Sequence, residues 1–309
     1  MAILKWREVM STISVIIPTY GEPKYLKDAI ESVINQTFKD WSLIVVDDNN
    51  PDTLFRQKTE KIMEQFNNNE KVNYIKHNKN KNGAAARNTG LKYVNSKYVA
   101  FLDSDDIYLP TRLQECYDAL EKNNCANVAG VYTGCEFRRN GKKYSEYIDV
   151  KSGNHIISVL ACSFMFCTGS NIFMKSSVVN ELNGFDESFI RHQDYEFLVR
   201  YFEKYDLIGL KKILVIKNND NINAPNVERE IAVKKHYLEK YEPILNKLKL
   251  NEKNYIYHNQ CIQIAESAIS EKNYELSRKY YNKAKMYCND TLKQAVRRYL
   301  LLARSILMK

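Results

Sequence analysis

Tyr98-Val99-Ala100-Phe101-Leu102-Asp103-Ser104-Asp105-Asp106 joins a short apolar run to a cluster of carboxylates, and it decides how the first hundred residues are read. Three similar runs precede it: Ile13-Ser14-Val15-Ile16-Ile17, Leu43-Ile44-Val45-Val46 and Val72-Asn73-Tyr74-Ile75. All four are short and rich in β-branched or aromatic residues, so they read as strands. Helical patterns separate them. Leu26, Ala29, Ile30, Val33 and Ile34 share one face after Pro23, a good first-turn residue. A second helix is expected from Thr53 to Phe66. A third starts near Gly83, with Ala86, Gly90, Leu91 and Val94 on one side. Alternation of this kind predicts a mainly parallel sheet with right-handed crossovers.

Ligands of such sheets bind beyond the carboxyl ends of the strands. Three polar segments fall there: Pro18-Thr19-Tyr20, Asp47-Asp48-Asn49-Asn50 and Asp103-Ser104-Asp105-Asp106. Consecutive carboxylates repel one another unless a cation sits among them. Magnesium or manganese takes one or two carboxylates plus substrate phosphates. An isolated Asp-Ser-Asp-Asp would read as a solvated turn; the strand before it and the neighbouring rim segments favour a site. Asp47-Asp48 suits either a turn or the acceptance of hydrogen bonds from a nucleobase or ribose. Gly83-Ala84-Ala85-Ala86-Arg87-Asn88 opens a helix whose N–H groups favour an anion, and Arg87 adds a guanidinium suited to phosphate. No Gly-Lys-Ser/Thr follows, so it is not a P-loop. No Gly-x-Gly-x-x-Gly follows the first strand, which disfavours a dinucleotide-binding enzyme.

The bulk properties fit this reading. The chain has 309 residues, 44% apolar and 27% charged, ordinary values for a globular protein. Seven scattered cysteines without a Cys-x-x-Cys pair are read as reduced thiols of a cytosolic chain. Met1 to Thr12 is too short and polar for a signal sequence. The longest apolar stretch, Ile156 to Phe166, is broken by Ser158 and Ser163, so no bilayer-spanning helix is expected.

From Leu109 to about Lys217 the pattern becomes α+β. Helices are expected over Pro110–Glu121 and Asp194–Lys204, and strands over Val128–Thr133, Tyr144–Ile148 and Leu207–Ile216. Asn218 to Asn226 reads as a linker. Residues 227–309 read as basic amphipathic helices, including a hairpin of Tyr255–Ser267 and Tyr274–Tyr287 and a last helix, Thr291–Met308, with Lys293, Arg297, Arg298 and Arg304. From Asn226 onward there are 17 basic against 9 acidic residues, nearly the whole of the net charge of +9. Such a tail suits nucleic acid, an anionic membrane surface, or a solvated appendage or dimerisation surface.

Five ordered motifs carry a resemblance. They are Ser14 to Tyr20, Ala29-Ile30-Glu31-Ser32-Val33-Ile34-Asn35-Gln36-Thr37, Ile44 to Asp48, Gly83 to Asn88, and Phe101 to Asp106. Over about residues 12 to 217 the chain closely resembles the family 2 glycosyltransferases of GT-A fold. The resemblance implies a Rossmann-like nucleotide-binding half (1–108) and an α+β acceptor half (109–217); the C-terminal helical appendage is read from the change in composition beyond the linker. The resemblance also implies inverting transfer of one sugar from a nucleotide-diphosphate sugar, with Mn2+ or Mg2+, to a glycan or lipid-linked acceptor in surface polysaccharide synthesis. By that resemblance Pro18, Tyr20, Glu22 and Asp48 form the nucleotide pocket, and Arg87 lies near the base or diphosphate. Asp103, Ser104 and Asp105 form the Asp-x-Asp, with Asp103 and Asp105 on the metal; Asp106 has a weaker claim. Gly21 stands where the family often has Asn.

Gly184-Phe185-Asp186-Glu187-Ser188-Phe189 and Arg191-His192-Gln193-Asp194-Tyr195-Glu196-Phe197 match the segment carrying the catalytic base, which places the base at Asp194. Gln193 replaces a more usual acid. His192 reads as a surface residue or an acceptor contact, and Gly169-Ser170-Asn171 as a turn or a lining of the donor sugar. Processive relatives carry transmembrane helices and Gln-x-x-Arg-Trp; with tryptophan only at Trp6 and Trp41, single transfers are expected. The cysteines and the basic tail together suggest a cytoplasmic protein whose tail either meets the inner face of the membrane or is a solvated or dimerising appendage, and no nucleic-acid partner is expected. Two other functions would leave different marks on the sequence. A nucleotidyltransferase would want a Gly-rich basic loop where Tyr20-Gly21-Glu22-Pro23 stands. A nucleic-acid-binding protein would act through residues 226–309.

Overall fold

The computed structural model describes residues 11–167, 169–220, 226–289, 295, 296, 299 and 300. The helix expected over Thr291–Met308 lies outside them except at 295, 296, 299 and 300, which are helical, and so does most of the expected linker. The described residues form two compact units. Residues 11–154 and 165–220 make one; residues 155–164 and those from 226 onward make the other.

In the first unit the chain runs β1 (Ile13–Thr19), α1 (Leu26–Ile34), β2 (Trp41–Asp47), α2 (Leu54–Glu64), β3 (Val72–Lys76), α3 (Gly83–Leu91) and β4 (Tyr98–Phe101). The acidic cluster follows, then β5 (Asp106–Tyr108), α4 (Arg112–Glu121), β6 (Val128–Arg139) and β7 (Lys142–Tyr147). In the second unit lies α5 (Ile156–Leu160). The first unit resumes with β8 (Phe173–Lys175), α6 (Ser176–Glu181), α7 (Gln193–Phe202) and β9 (Asp206–Asn218). The sheet order is β3-β2-β1-β4-β8-β6-β9-β5, with β7 added on β6. β3, β2, β1 and β4 are parallel; β8 is antiparallel to both β4 and β6.

Both faces of β1 are covered, which is why its sequence is a continuous apolar run. Ile13, Val15 and Ile17 pack with Leu26, Ala29, Ile30 and Val33 of α1 and with Leu113 and Cys116 of α4. On the opposite face α3 approaches so closely that a Cβ at Gly90 would lie 2.6 Å from Ile16 Cγ2. β1 has β2 on one side and β4 on the other, so the chain reverses its direction of winding there. Ligands of open α/β sheets bind at such a switch point, beyond the carboxyl ends of the strands, and Tyr20 and Asp103 lie at the ends of β1 and β4.

Several boundaries differ from the sequence reading. Pro23 precedes α1 instead of filling its first turn; its carbonyl accepts from the Leu26 N–H at 3.3 Å. β5 begins inside the acidic motif, and β9 runs two residues past Ile216, because the two pair antiparallel with Asp106 opposite Lys217. The reading of all seven cysteines as thiols is corrected. Cys135 on β6 and Cys167 are joined in a disulfide, their Cα atoms 6.6 Å apart. Folding brings together two residues 32 apart in the chain that share no spacing motif.

The second unit adds α8 (Val227–Lys240), α9 (Glu242–Lys247), α10 (Leu250–Ser270) and α11 (Tyr274–Lys285) to α5. Val227, Ile264 and Ala268 form an apolar cluster with Ile231, Leu276 and Tyr280 packed against it. Residues 155–164, read from sequence as part of the acceptor half, belong here because polar side chains hold them. The Gln260 and Gln263 amides donate to the carbonyls of Leu160 and Ala161, and Tyr237 to that of Val159. The buried Lys234 ammonium donates to both glutamines, at 2.9 and 2.7 Å. No helix among the described residues is long and apolar enough to cross a membrane.

Candidate active site

The acidic loop is held from beneath. The Ser170 hydroxyl, fully buried in the 3-10 turn Gly169–Asn171, accepts from the Asp103 N–H at 2.9 Å and donates to Asp106 Oδ2 at 2.6 Å. Asn171 is tied in turn to Arg112 and Thr133. The sequence reading allowed this turn to line the donor sugar; Ser170 and Asn171 instead face inward and brace the loop. Asp106 is fully buried, accepts from the Asn218 N–H at 3.2 Å and lies 3.6 Å from Lys217 Nζ. Burial pushes its carboxyl up to about 7 against the opposing charge of Lys217, with Asp105 and Asp103 adding to the rise. Its oxygens serve the fold. Ser104 is half-buried at the turn. The pKa of Asp105 is raised too, first by burial, with the charge of Lys217 opposing the rise and Asp103 adding to it.

Arg87 links Asp103 to Gln193, the neighbour of Asp194. The guanidinium donates to Asp103 Oδ1 at 2.6 Å and to Gln193 Oε1 at 3.0 Å. A Cβ at Gly169 would stand 3.3 Å from it, so a side chain there would press on the guanidinium. Asp194 opens α7 beside Gln193 and takes the Tyr195 N–H at 2.9 Å. Burial raises its pKa, Arg87 opposes that rise and Asp103 adds to it. His192, the cap of α7, has φ 60°, a conformation that is uncommon outside glycine; its ring meets Tyr195 edge-on at 5.7 Å. Glu196, fully buried, makes a two-pronged pair with Arg200, which also binds the carbonyls of Leu182 and Gly184. The Gly184–Phe189 segment is thereby fixed against α7. Asn88 fixes it to α3, accepting from the Phe185 N–H and donating to its carbonyl, both at 2.8 Å.

The nucleotide rim is less uniform. Tyr20 is 65% exposed at the end of β1, and Pro18 is half-buried one strand position below Thr19. Glu22 is exposed and paired with Lys58 at 2.8 Å. Asp48 is buried and committed: it binds His77 Nδ1 at 2.7 Å, the Asn80 amide at 2.8 Å and the Lys81 N–H at 2.9 Å. Its carboxylate shapes the loop ahead of α3. The N-terminus of α3 is also partly occupied, since the Asn82 side chain accepts from the Ala85 N–H.

Sequence reasoning missed Lys217, Asn218 and Asp220. Lys217 reaches the acidic loop, and the Asn218 amide donates to the Asp105 carbonyl at 2.7 Å. Asp220 joins Lys24, the Tyr25 hydroxyl and the Asn140 N–H. The only signal was that an apolar strand continued into Lys-Asn-Asn-Asp, which reads equally well as a linker.

No group of three His, Cys, Asp or Glu side chains among the described residues could by itself hold a metal. A hard divalent ion at a phosphate site needs only one or two carboxylates, the rest of its shell being phosphate and water. Asp105 and Asp103 fit that smaller requirement.

Carboxylates and an arginine gathered at the switch point of a Rossmann-like half, with an α+β half following it, form the architecture of the GT-A glycosyltransferases. The chain belongs to glycosyl transferase family 2, whose model matches residues 14–182. It is 34% identical over 219 residues to an uncharacterized glycosyltransferase of Methanocaldococcus jannaschii, spanning 68% of this chain and 72% of that one. A UDP-Glc:alpha-D-GlcNAc-diphosphoundecaprenol beta-1,3-glucosyltransferase of Escherichia coli is 35% identical over 121 residues, 39% of this chain and 45% of its own length. Among solved structures, Staphylococcus aureus TarS 1–349 in complex with UDP-GlcNAc matches with TM-score 0.59 at 14% identity, over 91% of this chain and 93% of that one. A mannosyltransferase of Pyrobaculum calidifontis in complex with GDP-Man and Mn2+ matches with TM-score 0.56 at 14% identity, over 98% and 82%.

Proposed function

We propose that this glycosyltransferase moves one sugar from a nucleotide-diphosphate donor to a glycan or lipid-linked hydroxyl, inverting the anomeric centre, in surface polysaccharide synthesis. The observation that carries the reading is the Arg87 bridge, which gathers Asp103 and the start of the helix bearing Asp194 around one guanidinium. Inverting displacement needs a single base on the acceptor, opposite the leaving group. Asp194 takes the acceptor proton as that oxygen bonds to the anomeric carbon. The bond from this carbon to the diphosphate breaks, and the nucleoside diphosphate leaves. Tyr20, with Pro18 and Glu22, offers a surface for the nucleoside, and Asp48 shapes the wall beside it. Asp103, Ser104 and Asp105 face the diphosphate. A divalent cation held by Asp105 and Asp103 would supply positive charge to the departing oxygens.

The test is transfer or hydrolysis with a panel of UDP- and GDP-sugars, with Mn2+ and with chelator, followed by NMR of the product's anomeric configuration. Retained configuration, or full turnover in chelator, would sink the respective part of the reading. The basic second unit supports a further element, contact with anionic headgroups. α11 exposes Arg278, Lys279, Lys283 and Lys285 beside Tyr274 and Met286. Co-sedimentation with phosphatidylglycerol vesicles, lost when these four become Gln, checks it.

A further inference from the structure

We propose that Lys217 is the chain's own ligand for the diphosphate of the sugar donor. The proposal rests on the donor-binding reading above. Lys217 is the penultimate residue of β9, directly opposite Asp106 in the β5–β9 register. Its side chain is 18% exposed. Its ammonium lies 3.6 Å from Asp106 Oδ2, at the acidic loop, and the charges of Asp106, Asp103 and Asp105 favour its charged form.

Among the described residues this ammonium has an ion-pair partner, Asp106, but no hydrogen-bond acceptor. Asp106 Oδ2, at 3.6 Å, is too far for a hydrogen bond, and that oxygen already takes the Ser170 hydroxyl, while Oδ1 takes the Asn218 N–H. No described residue accepts a hydrogen bond from Lys217. An ammonium has three donors and no acceptor capacity, and a largely buried one is normally satisfied. The other cation of the site, Arg87, is committed to Asp103 and Gln193. A ligand whose oxygens carry negative charge, entering above the acidic loop, is what the Lys217 donors can serve, and a phosphate is served well by a lysine point charge. Charge grows on the diphosphate as the sugar leaves, so a fixed ammonium there would act on the transition state as well as on binding.

The competing role is purely structural: Lys217 balances the buried Asp106 and touches no ligand. Titration calorimetry with UDP and GDP, each against its monophosphate and with Mn2+ at saturation, separates the two. Lys217→Met should weaken diphosphate binding by about 10- to 100-fold, the span of a lost charge-assisted hydrogen bond, while monophosphate binding changes little; Lys217→Arg should recover much of it. The decisive variant is the double Asp106→Asn/Lys217→Met, which removes both charges and so spares the fold an unpaired carboxylate. Diphosphate binding that stays weak in the double variant supports the proposal. Wild-type binding in the double variant, or equal losses for mono- and diphosphate, overturns it and leaves the donor reading intact. Failure of the wild-type protein to bind either diphosphate overturns both.

Discussion

Arg87 and Gln193 are joined by a 3.0 Å hydrogen bond, from a guanidinium on α3 to the first residue of α7, one position before Asp194. The Gln193 amide also donates to the Phe189 carbonyl at 2.9 Å, so its oxygen is held toward Arg87. Gln193→Ala should free the guanidinium and let the Asp103 side of the site drift from the Asp194 side. Displacement by about 1 Å can cost ~100-fold in rate. The expected outcome is a fall in kcat of about 10- to 100-fold with a smaller change in donor affinity, measured by steady-state kinetics and calorimetry. Gln193→Glu keeps the accepting oxygen and should retain activity.

Asp194 should behave as a base with a raised pKa. It must be ionised to take a proton, and burial lifts its pKa above the ordinary carboxylate value. The rising limb of kcat/KM against pH should therefore lie above pH ~4. Arg87 opposes the lift, so Arg87→Met should move the limb to higher pH, beyond its effect on donor binding. Asp194→Asn should lose roughly 100- to 10,000-fold in turnover while still binding donor. Unchanged turnover in that variant would remove it from the mechanism.

What the sequence made legible follows from how far apart the determining residues are. The first four strands and their helices announce themselves, since Ile13–Ile17 or Leu43–Val46 must be apolar wherever two helical layers cover a sheet. Asp103, Asp105 and Asp194 could be named as segments by ordered motifs. Their mutual arrangement could not, because it depends on Arg87, Gln193 and the Ser170 hydroxyl, from three separate stretches. β5 has three residues, begins inside an acidic motif, and finds its partner in β9 over a hundred residues later. Without that pairing the end of β9 looks like linker, and Lys217 like one more lysine in an Asn-rich stretch. Asp48 has an acidic identity suited to a base or ribose, and its oxygens also hold His77, Asn80 and Lys81, contacts that no local pattern reveals.

Ser170→Ala tests the brace under the acidic loop. The substitution removes the acceptor for the Asp103 N–H and the donor to Asp106 together, in a fully buried setting. Leaving buried polar groups unpaired costs about 1–3 kcal/mol. Chemical denaturation should show a loss of that size, and metal-dependent turnover should fall with it. A neutral stability change would mean the loop is held by the β5–β9 pairing alone.

Asp220 predicts an acid-sensitive anchor for the rim. It accepts from Lys24 at 2.8 Å, from the Tyr25 hydroxyl and from the Asn140 N–H at 2.6 Å, and thereby ties the segment after Tyr20–Pro23 to the β6–β7 turn. The Lys24 hydrogen bond, then those of Tyr25 and Asn140, hold its carboxyl down at about 2. An unfolded Asp titrates near ~4. With the folded value lower, the unfolded state binds more protons between these limits. The stabilisation is complete above pH ~4 and is lost as pH falls toward ~2. Asp220→Asn cannot titrate there. Its Tm should lie below that of the wild-type protein at pH 7, and the gap should close as pH drops through this window. A gap independent of pH would show that the anchor works through shape and neutral hydrogen bonds, and that its charge is idle.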